Sequence, residues 1–190
     1  MPARIREFDP RYPLQIMKKR YSPIRVNLNQ EMRDEAALAG TDAYNKLSFK
    51  GGGGNILGRL GELMFEKVAP EVRYIGAHGY DYAFGATKIE IKTKAQSVPH
   101  TPPSHWEGSV AIASLGHQHP HWFVFCRIYR DKNGLYQHGW VVGRIPYDMF
   151  MKKSRGMAQG QFDSSNGYEV QANCRNIFHR DLMPMKRSAT

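Results

Sequence analysis

The sequence contains few cysteines and few acidic residues, and these shortages exclude several classes of protein. Its two cysteines, Cys126 and Cys174, stand alone among 190 residues, and neither belongs to a CxxC pair. We therefore expect neither a disulfide framework nor a cysteine zinc site. Only 17 acidic residues oppose 27 lysines and arginines, so the formal net charge is +10. A globular chain this basic most often binds a polyanion such as nucleic acid.

Long apolar runs and a phosphate-loop motif are also missing. No apolar stretch approaches the roughly 20 residues that cross a bilayer, and the first ten residues, MPARIREFDP, lack the apolar core of a signal peptide. We therefore expect a cytoplasmic protein with no membrane association. The run Gly51–Gly54 is not part of a G-x₄-G-K-[ST] pattern and follows no predicted strand, so no nucleotide cofactor is expected.

The length and the 41% hydrophobic content suit one domain with a single core. We divide it into an N-terminal basic arm and helix (1–50), a central core (51–153) and a C-terminal extension packed on that core (154–190). Residues 1–28 read as an extended arm, and residues 97–121 as a long loop. Periodicity and turn signals predict helices at 29–47, 55–69 and 146–153, and strands at 72–76, 122–130 and 135–145.

The most informative stretch is a predicted β-hairpin, YDYAFGATKIEIKTK, which runs from Tyr80 to Lys94. Gly85 and Ala86 suit a two-residue turn, because glycine supplies the positive φ at the first position. The turn fixes the register, which places Asp81 opposite Glu90. Alternation then assigns two faces to the hairpin. The core face carries Tyr80, Tyr82, Phe84, Ile89 and Ile91, and the other face carries Asp81, Lys88, Glu90 and Lys92.

Two carboxylates directly opposite each other destabilise a sheet. A divalent cation removes this penalty, and carboxylate oxygens are the ligands that Mg²⁺ prefers. The ammonium of Lys92, on the same face as Glu90, could orient a water, lower the pKa of that water or stabilise charge on a phosphate. Upstream, Glu62 lies off the centre of an apolar helical stripe. It is either an ordinary partner of Arg59 or an additional ligand, with Glu66 as the competing acid.

These residues resemble a known family. Asp81 followed by Glu90-Ile91-Lys92 is similar to the D…(D/E)-x-K signature of the PD-(D/E)XK nuclease superfamily, and the likeness covers roughly residues 55–150. Glu62 matches the acidic ligand that many members carry before the signature, whereas Tyr80 stands where the eponymous motif has proline. The resemblance implies a restriction-endonuclease-like α/β core, with a mixed central β-sheet flanked by helices.

The resemblance also implies an activity, namely a Mg²⁺-dependent DNA nuclease, with endonuclease preferred and Mn²⁺ able to substitute. The metal would be held by Asp81, Glu90, Glu62 and the Ile91 backbone carbonyl, and Lys92 would complete the catalytic set. The residues expected to contact DNA are Arg59, Lys88, Lys94 and Gln96. By analogy we expect a phage or mobile-element nuclease in a bacterial or phage-infected cell. Paired cuts need two active sites, so a homodimer is a further expectation.

Two other functions remain open from the sequence. One is a non-catalytic DNA-binding or accessory protein that keeps the nuclease fold, and the other is an unrelated phosphate-ester or nucleotide enzyme. The predicted loop also concentrates histidines, which would suit a zinc site, a DNA-facing loop or an ordinary polar loop. These are His100, His105, His117, His119 and His121.

Overall fold

The computed structural model describes residues 21–41, 53–77, 80–116, 119–164 and 168–185. Residues 1–20 of the predicted arm and residues 42–47 of the first predicted helix lie outside these ranges. The helices are α1 (Gln30–Thr41), α2 (Gly53–Val68), α3 (Ile112–Leu115) and α4 (Tyr147–Lys153). The strands are β1 (Ile24–Asn27), β2 (Arg73–Ala77), β3 (Tyr80–Phe84), β4 (Thr87–Gln96), β5 (Glu107–Ala111), β6 (Trp122–Arg130), β7 (Tyr136–Pro146), β8 (Arg155–Met157), β9 (Phe162–Asp163), β10 (Tyr168–Glu169) and β11 (Cys174–Phe178).

The architecture is mixed α/β, built on a six-stranded sheet in the order β1-β7-β6-β4-β3-β2. Strands β4 and β6 pair in parallel, and the other neighbours in this sheet are antiparallel. A three-stranded sheet, β5-β11-β8, and a two-stranded ribbon, β10-β9, complete the strands of the described ranges. The expected mixed central sheet is thus present.

Each face of the large sheet carries its own apolar cluster. On one face, α1 and α2 pack against alternate residues of β4 and β6, among them Ile89 and Val124. On the other face, Phe123 and Phe125 of β6 contact Phe150 of α4, and the same cluster includes Ile177 of β11. Burial on both faces suits the nearly continuous apolar run of β6.

The predicted hairpin is confirmed in its turn and in three pairs next to the turn, whereas the predicted pair of Asp81 with Glu90 is not part of the ladder. Gly85 has a φ of 57°, the left-handed value that a two-residue turn requires at this position. The β3–β4 ladder pairs Phe84 with Thr87, Ala83 with Lys88 and Tyr82 with Ile89. Tyr82 and Ile89 are fully buried, as expected for the core face. The last recorded pair is Tyr82 with Ile89, so Asp81 lies just beyond the end of the ladder.

Helix α2 lies unusually close to β4. A methyl group at Gly61 would sit 1.9 Å from the Thr93 hydroxyl oxygen, a distance that real Cβ atoms do not adopt. Glycine at this position therefore permits the contact between the helix and the strand. Glu62 is the next residue, so the close approach of α2 to β4 at Gly61 also sets the distance between the Glu62 backbone and the sheet.

Three predictions of local structure need correction. The presumed loop at 97–121 contains β5 and α3, and the presumed arm ends in β1, which pairs with β7. Helix α2 begins at Gly53, two residues before the predicted start at Asn55. Strands β5 and β1 were missed because their partners, β11 and β7, lie far away in the sequence, and strand formation depends on such partners more than on local preference.

Candidate functional site

The acidic residues singled out from the sequence meet where β3 separates from β4. Beyond the Tyr82–Ile89 pair, the Asp81 Oδ2 atom accepts a hydrogen bond of 2.7 Å from the backbone N–H of Ile91. The carboxylate of Asp81 thereby reaches β4 directly beside Glu90. A side chain thus replaces the regular ladder at this point, which opens the sheet locally.

Glu90 is buried, with only 5% of its surface exposed. Its Oε1 atom lies 2.7 Å from the Lys92 ammonium, and its Oε2 atom is buried without a hydrogen-bond partner in the described structure. Buried polar atoms nearly always have a partner, so an orphaned carboxylate oxygen needs an explanation. A bound cation would supply the missing partner.

The acids influence one another electrostatically. Burial raises the pKa of Asp81 well above its ordinary value, and the charges of Glu90 and Glu62 raise it further. The hydrogen bond from Ile91 and the charge of Lys92 oppose this rise. Burial also raises the pKa of Glu62, with Glu90 and Glu66 adding to the rise and Arg59 opposing it. Negative charge on Asp81 and on Glu62 is therefore costly unless a cation is present.

Glu62 is a partner of Arg59, as one of the two interpretations from the sequence expects, and its role as an additional ligand stays a prediction. Its Oε2 atom accepts a hydrogen bond of 2.8 Å from Arg59, and its charge also acts on Asp81. The competing acid, Glu66, points elsewhere: its Oε1 atom accepts a hydrogen bond of 2.5 Å from the Tyr82 hydroxyl. Glu62 is therefore the better candidate for the third acid of the site.

The expected DNA-contacting residues have very different surroundings. Lys88 is exposed, and its ammonium lies 5.1 Å from the centre of the Tyr80 ring. Arg59 donates hydrogen bonds to the carboxylates of Glu35 and Glu62. Lys94 is partly buried, and burial, with Arg127 nearby, lowers its pKa to about 8. Gln96 is buried and donates hydrogen bonds to the carbonyls of Val98 and His100. Of the four residues, Lys88 is the exposed one, so it can contact a phosphate without a change in its conformation.

A second polar cluster was not anticipated from the sequence. The carboxylates of Glu107 and Asp163 are fully enclosed, and Arg155 reaches both, at 2.8 and 2.9 Å. Asn176 donates a hydrogen bond of 3.1 Å to Glu107. These residues come from four strands, and Glu107 lies 48 positions before Arg155, so no local motif marks them. The cluster fastens the three-stranded sheet to the ribbon, and Arg155 forms an ion pair with each of its two acids.

The site falls short of a complete metal cage. Within the described ranges, no group of three or more His, Cys, Asp or Glu side chains converges as a metal-binding set. Of the histidines at 97–121, His117 lies outside the described residues, and the other four belong to no such group. The chemistry of Asp81 and Glu90 still fits a hard cation. Glu90 has one carboxylate oxygen without a partner, Asp81 is bound to the residue next to Glu90, and the backbone carbonyl of Ile91 would be a third oxygen ligand.

Comparisons with protein-family models, with curated proteins and with solved structures find no match to this chain. The likeness to a nuclease family therefore depends on the residues described above. Among the helices of the described ranges, none combines the length and the apolar character needed to cross a membrane.

Proposed function

We propose that this protein is a Mg²⁺-dependent DNA nuclease of the restriction-endonuclease-like fold. The observation that carries the proposal is the Oε2 atom of Glu90, which is buried and unpartnered next to the carboxylate of Asp81. Burial and the charges of Glu90 and Glu62 together raise the pKa of Asp81, so an ionised Asp81 is costly. A cation bound between Asp81 and Glu90 would offset that cost.

In this proposal Asp81 and Glu90 hold the metal, and Glu62 and the Ile91 carbonyl complete its protein ligands. Bound Mg²⁺ would polarise the scissile phosphate and lower the pKa of an attacking water. Residues of the chain orient the ligand and the catalytic side chain. The Ile91 N–H fixes the Asp81 carboxylate, and Glu90 fixes the Lys92 ammonium at 2.7 Å.

Lys92 is the catalytic cation in this scheme. Its ion pair with Glu90 holds the ammonium beside the ligand set before substrate arrives. An amine in that place stabilises the negative charge that develops on the phosphate, or orients the attacking water. Lys88, exposed two residues before Glu90 on the same face, would hold a neighbouring phosphate.

DNA is the proposed partner because the chain carries a net charge of +10, yet its candidate site is acidic. A basic surface binds the phosphate backbone with little regard to sequence. An acidic site within it concentrates the divalent cation where a phosphodiester is held. We extend the proposal to a cytoplasmic homodimer, since cutting both strands needs two such sites.

The second candidate is a DNA-binding protein that keeps the fold without cleaving. It is favoured by the absence of a converged set of three ligands in the described ranges. The two candidates make opposite predictions for cleavage in Mg²⁺ and the same prediction for DNA binding. One set of assays therefore separates them.

The test incubates supercoiled, linear and branched DNA with purified protein in Mg²⁺, Mn²⁺ or EDTA. Glu90→Gln and Lys92→Ala should lower the cleavage rate by about 100-fold or more, the usual cost of removing a charge-stabilising group. The matched control is Glu169→Gln, an exposed acid on the small ribbon, which should cleave like wild type. DNA binding in EDTA should stay within a few-fold for all variants. Wild-type cleavage by Glu90→Gln contradicts the proposal, and binding without nicking supports the second candidate.

A further inference from the structure

One histidine of 97–121 is fastened to the strand that carries Glu90. His121 directly precedes β6 and lies beside Lys88, at the end of the sheet where the parallel pairing of β4 and β6 begins. The backbone N–H of Lys88 donates a hydrogen bond of 2.8 Å to His121 Nδ1. The backbone N–H of His121 donates one of 2.9 Å to the Lys88 carbonyl. Both the main chain and the imidazole of His121 are thus bound to β4.

The bond from Lys88 decides which nitrogen of His121 carries a hydrogen. A neutral imidazole has one donor nitrogen and one acceptor nitrogen. Because Nδ1 accepts from the Lys88 N–H, the hydrogen of the neutral ring is on Nε2. The side chain of His121 is exposed, and its Nε2 atom has no hydrogen-bond partner among the described residues. A fixed N–H donor is therefore open to a ligand at this end of β4.

The segment that carries this donor is held in place by its neighbours. The His121 carbonyl accepts a hydrogen bond of 3.0 Å from the Tyr147 N–H, and the preceding Pro120 is buried. The ring of His119 meets the ring of Tyr147 edge-on, with 5.7 Å between their centres. Since the donor is positioned before a ligand arrives, its binding costs little ordering entropy.

Lys88 supplies a positive charge beside this donor. Its ammonium is exposed and lies 5.1 Å from the centre of the Tyr80 ring, and no carboxylate of the described ranges lies within ion-pair distance of it. Alternate residues of a strand share a face and are about 7 Å apart, so Lys88 and Glu90 are neighbours on one face. The donor and the charge therefore lie one step along β4 from the candidate cation site.

We propose that His121 and Lys88 form a subsite for a backbone phosphate of DNA, next to the phosphodiester held at Asp81 and Glu90. The Nε2–H of His121 donates a directed hydrogen bond, and the Lys88 ammonium supplies the opposite charge. A phosphate oxygen suits both groups, because it is an anionic acceptor for neutral and charged donors alike. The inference rests on the proposed function, since it takes DNA as the partner.

Two substitutions of His121 separate its outer donor from its inner acceptor. Counted in bonds from Cβ, the amide of asparagine reaches as far as Nδ1, and the amide nitrogen of glutamine reaches as far as Nε2. His121→Asn therefore keeps an acceptor for the Lys88 N–H but lacks the outer donor, whereas His121→Gln keeps the outer donor. Fluorescence anisotropy of a labelled DNA duplex in EDTA gives the dissociation constant of each variant without cleavage.

His121→Asn should raise the dissociation constant about 10-fold or more, and His121→Gln should stay within about 2-fold of wild type, because a hydrogen bond to a charged group is lost only in the first. Lys88→Ala should reduce the slope of log K against log salt concentration by about 0.9, the contribution of one cation at a phosphate. His121→Asn should leave that slope unchanged, since a neutral donor releases no counterion. The matched control is His100→Asn, an exposed histidine beyond the other end of β4, which should bind like wild type.

Melting temperatures show whether each variant is folded, and His121→Ala, which also lacks the outer donor, replaces His121→Asn if the latter does not fold. Wild-type binding by a folded His121→Asn or His121→Ala overturns the inference and leaves the proposed function standing. Weaker binding by His121→Gln than by His121→Asn also overturns it, because His121 would then serve only to join β4 to β6. An equal loss in His100→Asn has the same consequence.

A parallel titration distinguishes DNA from a free anion. Inorganic phosphate should displace the labelled duplex no better than chloride at the same ionic strength, and a specific displacement by phosphate assigns the subsite to a free anion and overturns the inference. A wild-type protein that does not bind DNA overturns both the proposed function and the inference. DNA binding that depends on His121, without cleavage in Mg²⁺, overturns only the nuclease and supports the subsite.

Discussion

Replacing Gly61 by alanine should push α2 away from β4. The added methyl group would lie 1.9 Å from Thr93 Oγ1 and 3.0 Å from both Thr93 Cβ and Thr93 Cγ2. Thr93 is short and β-branched, so it cannot swing aside as a long flexible side chain would. Either the helix or the strand must therefore move.

The expected cost follows from two opposing effects. Overpacking a core contact costs roughly 1–3 kcal/mol, and alanine in a helix gains about 1 kcal/mol over glycine. We expect Gly61→Ala to lower the free energy of unfolding by up to about 2 kcal/mol. Gly58→Ala in the same helix is the matched control, because no atom lies within 4 Å of its added methyl group. That variant should gain up to about 1 kcal/mol.

Urea unfolding followed by circular dichroism measures both variants. In a Thr93→Ala background the 1.9 Å contact is absent, so most of the Gly61→Ala cost should disappear as a coupling energy. Because Glu62 follows Gly61, the Mn²⁺ affinity of Gly61→Ala should also fall, whereas that of Gly58→Ala should not. If Gly61→Ala is as stable as Gly58→Ala, the proposed close contact between α2 and β4 is wrong.

Two further predictions concern the acids. In EDTA, Asp81→Asn should be about 1 kcal/mol more stable than wild type at pH 7.5, and the difference should shrink towards pH 4.5. The reason is that a carboxyl with a raised pKa favours folding at low pH and loses that contribution as the pH rises through its folded-state pKa. Urea titrations that show the same stability difference at every pH would contradict this prediction. Arg155→Ala should lower stability by about 3 kcal/mol, because it strands the enclosed carboxylates of Glu107 and Asp163. The exposed Lys153→Ala is its control, and equal unfolding midpoints for the two would refute the role of Arg155.

Local signals predicted a substantial part of the fold. The start of α1 at Gln30 follows its cap, since Asn29 Oδ1 accepts a hydrogen bond of 2.9 Å from the Met32 N–H. Strand β6 has the predicted bounds, and the turn after it contains Gly134 with a φ of 85°. Such features depend on residues a few positions apart, so the sequence displays them directly.

The candidate site was predictable only in part. The turn at Gly85 and the alternation of the strands predicted that Asp81 and Glu90 would be neighbours, and the charge of Glu90 does raise the pKa of Asp81. The partners of Arg59 were not predictable beyond Glu62, because Glu35 belongs to another helix. The partial burial of Lys94 was likewise not predictable, because Glu107 and Asp163, whose charges act on it, belong to strands elsewhere in the chain.

The sequence by itself determined the turn of the hairpin and the register of the three pairs next to it, because turn chemistry and a period of two act between close neighbours. Only the tertiary structure decided which basic side chains remain exposed. Lys88 stays in solvent, whereas Lys94 and Gln96 are withdrawn at the far end of the same strand. Pairing between distant segments, such as β5 with β11, depends on which partner buries the most surface and satisfies the most hydrogen bonds, and that competition involves the whole chain.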